Sequence, residues 1–288
     1  MKARPEQEHT KPRILVVAGS DSGGGAGIQA DIKTITMLGG FAMTAVTALT
    51  AQNTLGVEDV LPIDPRFVAL QMKSVLTDIG ADAIKTGMLG SARVVEAVAA
   101  VCESTAFGIP LVVDPVMVAK GGARLLDKGA HDALVLRLLP LASLLTPNVP
   151  EAEVLTGMTI KTTRDLERAA DALLALGPSA VLMKGGHLEG DTVVDLLRTA
   201  DGAQHVFEGP RIISRSTHGT GCTLASAIAA GIAEGLTLQG AVARARDYVV
   251  KAIRLAPGLG KGHGPLEFAH PLLTSQANEV PAVSRALH

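Results

Sequence analysis

Two glycines flank Thr220 and a cysteine follows them in the stretch Ser216-Thr217-His218-Gly219-Thr220-Gly221-Cys222-Thr223, directly ahead of the helix-forming run Leu224-Ala225-Ser226-Ala227-Ile228-Ala229-Ala230. The start of a helix leaves backbone N–H groups unpaired and carries the positive end of its dipole. Glycines there let an anion come close to those groups. The chemistry this spacing suits is phosphate binding. Cys222 falls in the first turn, where the dipole is expected to lower its pKa. A thiol so placed could take a proton from an attacking hydroxyl. The bland alternative is a glycine-rich helix cap beside a buried cysteine. The combination of glycines, first-turn Cys and small-residue helix favours function.

Three further clusters carry chemistry. Gly19-Ser20-Asp21-Ser22-Gly23-Gly24-Gly25 leads to Ala26-Gly27, but no Lys-Ser or Lys-Thr follows at P-loop spacing. The dinucleotide pattern fails too, because Ile28 stands where the third glycine is needed when the count starts at Gly23. The segment is either a flexible strand-to-helix turn or a loop that closes on a small substrate. Asp31 follows one helical turn later and either bonds a substrate or sits on a solvated face. In Thr146-Pro147-Asn148-Val149-Pro150-Glu151, Asn148 and Glu151 are three apart and can share a face. A carboxylate beside phosphates suits Mg²⁺, held through water. Asn148 can equally cap a helix starting near Pro150. Lys184-Gly185-Gly186-His187 sets a lysine at the end of an apolar run, within reach of a phosphate. His187 and His218 read as local hydrogen-bonding residues, since no paired spacing supports zinc.

These clusters need elements to hold them. Short apolar runs predict strands at Arg13–Ala18, Phe41–Leu49, Ala83–Thr86, Pro110–Asp114, Ser143–Thr146 and Ala180–Lys184. A β pair is predicted for Val193–Arg198 with His205–Glu208. Helical periodicity predicts Gly27–Leu38, Asp64–Ile79, a helix from a Ser91 cap to about Glu103, Thr163–Leu176 capped by its own Thr, the run from Gly219 to about Gly235, and Leu238–Leu255. Alternating strands and helices imply an α/β fold with a mostly parallel sheet covered on both faces. In such sheets ligands bind beyond the carboxyl ends of the strands, where the polar and glycine-rich residues fall here.

Composition narrows the function classes. The chain has 288 residues, 47% hydrophobic and 19% charged, which is enough for a sizeable core. Aromatics are 2% and the formal net charge is −2, so neither stacked nucleic acid nor an anionic membrane is expected as a partner. No apolar run is long enough to span a membrane. Cys102 and Cys222 share no metal spacing, and a reducing cytoplasm is the expected setting. Met1 to Pro12 is read as a flexible leader, residues 13–274 as one domain, and Ser275 to His288 as a loose tail.

Taken in register, these segments resemble the hydroxymethylpyrimidine/phosphomethylpyrimidine kinase branch of the ribokinase-like superfamily. The resemblance also rests on Thr47-Ala48-Leu49-Thr50-Ala51-Gln52-Asn53-Thr54, Lys85-Thr86-Gly87-Met88-Leu89, Asp114-Pro115-Val116-Met117 and Gly260-Lys261-Gly262-His263-Gly264-Pro265. It implies a three-layer α/β/α sandwich, Mg²⁺, and transfer of phosphoryl from ATP to 4-amino-5-hydroxymethyl-2-methylpyrimidine and then to its monophosphate. It implies that Ala26, Gln52, Met88 and Val116 contact the pyrimidine, and Asp31 is placed with them. Asn148, Glu151 and Lys184 would serve the phosphates and Mg²⁺, with Asp114, Thr217 and Lys261 also at the nucleotide. Gly219, Thr220 and Gly221 would form the anion hole, with Cys222 at the catalytic position. Sugar kinases of the superfamily carry Asp there, so Cys222 argues against a sugar. Pyridoxal kinase is the nearest alternative; a non-catalytic sensor and a Rossmann dehydrogenase are more distant ones. The resemblance also favours a homodimer. A lid is expected at Val118–Arg124, where Gly121 and Gly122 allow motion.

Overall fold

The computed structural model describes residues 11–117 and 128–273. The expected lid, the tail and most of the leader lie outside the described residues. Nine strands form one sheet in the order β3-β2-β1-β4-β5-β6-β7-β8-β9. They are β1 (Arg13–Asp21), β2 (Phe41–Asn53), β3 (Gly56–Pro62), β4 (Ala83–Thr86), β5 (Leu111–Val113), β6 (Leu144–Leu145), β7 (Ala180–Met183), β8 (Thr192–Thr199) and β9 (Gln204–Pro210). The six strands from β2 to β7 in that order pair in parallel, while β3, β8 and β9 join antiparallel at the two edges.

The helices are α1 (Gly27–Met37), α2 (Pro65–Asp78), α3 (Ala92–Ser104), α4 (Lys128–Ala133), α5 (Val149–Thr156), α6 (Thr163–Leu174), α7 (Thr220–Ala233) and α8 (Leu238–Arg254). A strand buried on both faces sends alternate side chains to opposite layers. Leu15 and Val17 of β1 therefore pack with Val68 of α2, Val95 of α3 and Leu166 of α6. Ile14, Val16 and Ala18 pack on the other side with Ile35 of α1, Ile228 of α7 and Val242 of α8. The result is the three-layer α/β/α sandwich expected. Each large apolar side chain buried this way contributes about 1.5–3 kcal/mol.

Caps fix where most helices begin. Side chains of Asp64, Ser91, Asn148, Thr162 and Thr237 accept from first-turn N–H groups of α2, α3, α5, α6 and α8. The cap of α6 is thus Thr162, one residue ahead of the Thr expected. Asn148 and Glu151 form a reciprocal capping box, which explains why α5 starts immediately after β6 and its Pro147 turn. Two features were not expected from sequence: the β3 edge strand, and the helical run in which α4 continues into a π-turn at Leu134–Leu138 and a 3₁₀ turn at Leu139–Leu141. No helix among the described residues is long and apolar enough to cross a membrane.

Candidate active site

The parallel strands β1, β4, β5, β6 and β7 share one carboxyl edge, and α7 begins against it. Unlike the five helices with side-chain caps, α7 has none. Its N-cap is Gly219, in the left-handed region at φ +82°, and a Cβ there would lie 1.9 Å from the Gly25 carbonyl oxygen. Only glycine lets the α7 start seat this closely on the glycine loop after β1. One residue into the helix, a Cβ on Gly221 would stand 3.3 Å from Lys184 Nζ and 3.7 Å from Asp114 Oδ2. The first-turn amides of α7 therefore open onto a buried ammonium and carboxylate.

That ammonium is fixed by its surroundings. Lys184 follows β7 and donates to Asp114 Oδ1 at 2.9 Å, with Glu151 Oε2 at 3.9 Å. Thr146 Oγ1 donates to the same Asp114 oxygen at 3.2 Å. Burial works against the Lys184 charge, but Asp114 and Glu151 outweigh it and hold its pKa above the usual lysine value. Burial pushes the Glu151 carboxyl up to about 7, although Lys184 pulls the other way. Glu151 is also committed to its cap, accepting from the Asn148 N–H at 2.8 Å. Asn148 and Glu151, Lys184 and Asp114, drawn from three different motifs, are thereby brought together opposite Gly221.

Cys222 sits in the first turn of α7 as expected, partly buried and free. Its expected low pKa is corrected. Burial pushes the thiol up to about 11; the Lys85 ammonium pulls down, but Asp31 and Asp114 add to the rise. The dipole is present, yet loss of water around the thiol outweighs it.

Asp31 also needs correcting. It meets neither a substrate site nor solvent: its side chain is wholly buried, and both its oxygens accept from Lys85 Nζ at 2.9 and 3.0 Å. Ser226 of α7 donates to Asp31 Oδ1 at 2.6 Å. The negative charge of Asp31 keeps the buried Lys85 protonated against the cost of burial. This pair joins α1, β4 and α7 beneath the Gly219–Cys222 turn.

A second carboxylate shapes the loop after β1. Asp21 Oδ1 accepts from Gly23 N–H at 2.8 Å. Its Oδ2 accepts from Gly25 and Ala26 N–H at 3.1 and 2.8 Å and lies 2.8 Å from His218 Nε2. Burial alone would raise its pKa, but His218 and these backbone N–H groups outweigh that and hold it below the usual carboxylate range. Ala26 thereby sits against Gly219. Gln52, near the end of β2, has its amide 3.3 Å from His218 Nε2. Val116 lines a crevice with Thr86, Gly87 and Asp114, and the Met88 methyl packs against Gly19. The Thr217 carbonyl accepts from Thr220 Oγ1 at 3.2 Å. Lys261 is exposed in the loop 260–264, its carbonyl accepting from Arg215 at 3.1 Å.

Sequence reasoning gave Asp21 and Lys85 no role of their own. Asp195 was missed as well: it accepts from Gly185 N–H at 2.9 Å and from Arg246 at 2.7 Å, clamping the turn that carries Lys184. Its only sequence signal is an acid inside an apolar strand.

A doubly covered α/β sheet, an uncapped glycine-led helix start and a buried lysine facing it define a small-molecule kinase that uses a nucleotide. The family model for phosphomethylpyrimidine kinase matches residues 21–267, and the chain belongs to that family. It is 55% identical over 254 residues to the thiamine biosynthesis bifunctional protein ThiED of Geobacter sulfurreducens, covering 88% of this chain and 51% of that protein. The chain thus spans about half the length of that relative. It is 49% identical over 263 residues to the hydroxymethylpyrimidine/phosphomethylpyrimidine kinase of Streptomyces coelicolor, covering 91% of this chain and 96% of that one. The structure of Bacillus subtilis pyridoxal kinase in an ADP complex is similar with a TM-score of 0.84 at 34% identity, covering 92% of this chain and all of that one.

Proposed function

We propose that this enzyme transfers phosphoryl from ATP to the hydroxymethyl group of 4-amino-5-hydroxymethyl-2-methylpyrimidine, and then to the resulting monophosphate, in thiamine biosynthesis. The observation that carries the reading is the approach of Lys184 to Gly221 at the uncapped α7 start. Phosphoryl transfer asks for positioning and charge neutralisation more than covalent chemistry. Amides of Thr220, Gly221 and Cys222 would cradle the transferred group, and Lys184 would neutralise it from the opposite side. Asn148 and Asp114 would flank the nucleotide, with Thr217 and Lys261 on its outer side.

Among the described residues, no three His, Cys, Asp or Glu side chains converge on a metal site. The acidic groups present fit a Mg²⁺ that arrives with the phosphates and is held by Glu151 through water. Such an ion would offset charge on the phosphate oxygens. Cys222 occupies the position of the proton acceptor. With its thiol neutral near pH 7, Cys222 would act as a relay: it would take the hydroxyl proton as its own S–H proton passes to an oxygen of the transferred phosphoryl group, late, after bonding to phosphorus has made the hydroxyl acidic.

Ala26, Gln52, Met88 and Val116 would contact the ring. The higher identity to the pyrimidine kinases than to the pyridoxal kinase supports the aminopyrimidine over pyridoxal. The test is ADP release with the pyrimidine alcohol, its monophosphate and pyridoxal side by side. The first two are expected to dominate, and faster turnover of pyridoxal would overturn the choice. A homodimer is proposed through the β2–β3 edge, where Leu49, Leu55 and Leu61 are exposed. A monomer mass in sedimentation would exclude it. Two free thiols fit a cytoplasmic setting.

A further inference from the structure

Asp31 and Lys85 lie wholly buried beneath the Gly219–Cys222 turn, where nothing in the binding of phosphate calls on them. Both oxygens of Asp31 accept from Lys85 Nζ, at 2.9 and 3.0 Å, and Oδ1 also accepts from Ser226 at 2.6 Å. A buried ion pair adds little to stability, because the water lost from both charges offsets their attraction. Packing alone therefore gives no reason for two charges here. Their placement does. Gly27 and Asp31 stand one turn apart on α1, and Cys222 and Ser226 one turn apart on α7, so the two helices meet in two rungs. In one rung Ser226 donates to Asp31. In the other the Gly27 N–H bonds the Cys222 sulfur and favours its anion. Lys85 reaches this pair of rungs from β4.

The charges around the sulfur are Lys85 on β4, Asp31 on α1, Asp114 after β5 and Lys184 after β7. Burial acts most strongly on the thiol and disfavours its anion. Next comes the pull of Lys85, which exceeds the opposing push of Asp31 and that of Asp114. The ion pair thus presents its positive end to the sulfur, and in a buried site that field is little screened. We propose that Lys85 is a positioning residue for Cys222, paired with Asp31 and tied through it to Ser226 of α7, so that its ammonium stabilises the negative charge developing on the sulfur as the S–H proton leaves. The hydroxyl proton then takes the place of the one passed to the phosphoryl oxygen, and the thiol ends neutral. The inference rests on the reading that Cys222 relays the hydroxyl proton.

Alkylation of Cys222 and one double-mutant cycle test it. Labelling uses a Cys102→Ala parent, in which Cys222 is the one thiol left. Lys85→Met removes the charge and keeps an unbranched chain. Its iodoacetamide rate at pH 9 is expected to fall about tenfold, the thiolate lost when a pKa rises by one unit. A merely structural lysine would, on removal, loosen the turn, expose the sulfur and speed the reaction. An unchanged or faster rate therefore overturns the proposal. Lys85→Met/Asp31→Asn removes both charges together and leaves no unpaired buried carboxylate, so it covers the case in which the single variant fails to fold. It too is expected to react more slowly than the parent, by a smaller factor, and a faster rate overturns the proposal. In turnover, Lys85→Met is expected to lower kcat about tenfold while KM for ATP and for the pyrimidine alcohol stay put. On a Cys222→Ala background it is expected to add nothing further, and an undiminished loss there overturns the proposal. If alkylation slows in Lys85→Met but Cys222→Ala turns over like the parent, the relay reading falls instead, and the coupling of Lys85 to the thiol stands.

Discussion

Gly221 and Lys184 face each other so closely that a methyl group on Gly221 would come within 3.3 Å of Lys184 Nζ. The missing side chain is what exposes the first-turn amides of α7 to an ammonium held by Asp114. Gly221 has no left-handed backbone, so a substitution there meets no backbone strain. Alanine requires Lys184 to give by a few tenths of an ångström, while valine fills the space. Gly221→Val is expected to lower kcat/KM for ATP at least tenfold. Gly221→Ala should fall between, with a Tm equal to or above the parent, since Gly to Ala in a helix gains up to about 1 kcal/mol. A valine variant with parental kcat/KM would remove Gly221 from the site.

Gly219 behaves differently. Its φ of +82° disfavours any side chain, and the Gly25 carbonyl oxygen blocks the Cβ position. Gly219→Ala is expected to cost about 2 kcal/mol or more from backbone strain and displacement of the loop, lowering Tm by roughly 4–8 °C. Differential scanning calorimetry reads this directly, and an unchanged Tm would mean that α7 does not need the left-handed start.

Lys184→Met removes the ammonium facing Gly221. It leaves the Asp114 and Glu151 carboxylates without their neutralising partner. kcat is expected to drop on the order of 10²–10³-fold, as when one charge-stabilising donor is lost. A drop confined to KM would show that Lys184 binds the nucleotide without favouring the transition state.

With the Cys222 thiol pushed up to about 11, its alkylation by iodoacetamide should be slow at pH 7 and rise about tenfold per pH unit, with no plateau below pH 10. A plateau near pH 7 would mean a thiolate already formed at the helix start. Cys222→Ala with undiminished turnover would end its assignment as proton acceptor.

Cys102 supplies a stability test. Burial pushes its thiol from 9.0 up to about 12 in the folded chain. Below pH 9.0 the thiol is neutral in both states. Above it the unfolded chain ionises first, so the folded state binds more protons and loses stability as pH rises toward 12. By pH 10.5 the loss is roughly 2 kcal/mol. Urea midpoints at pH 8 and 10.5 are expected to differ less in Cys102→Ala than in the parent, and equal differences would contradict the burial of this thiol.

How far the sequence could be read follows from the range of each interaction. Ala83–Thr86 and the Ser91 cap are local patterns and were legible residue by residue. The Gly219–Cys222 turn was legible because two glycines next to a run of small residues have few other uses. Asp31 was not, since its partner Lys85 lies 54 positions away and nothing near Asp31 marks it for burial. The low pKa expected for Cys222 came from the visible dipole; the water stripped from the thiol is a tertiary fact. Strand β3 escaped notice because Glu58 and Asp59 break its apolar alternation, as suits an exposed edge. The run of α4 into Leu134–Leu141 is apolar on most sides and interrupted by Pro140, so no single period describes it.

The bond between Asp21 and His218 joins residues 197 positions apart. The Thr54 carbonyl likewise waits for the His263 N–H, which meets it at 2.8 Å. A ribosome adding about 5–20 residues per second needs roughly 10–40 s to go from one member of the Asp21–His218 bond to the other. During that interval the nascent chain holds the first glycine loop without the histidine that organises it. The proposed phosphate cradle also has no helix until Thr220 and the residues after it have left the ribosome. On the proposed reading, nucleotide and substrate recognition are therefore acquired together, only once the chain has passed Thr220, and a chain stopped before that point lacks the turn proposed to bind phosphate.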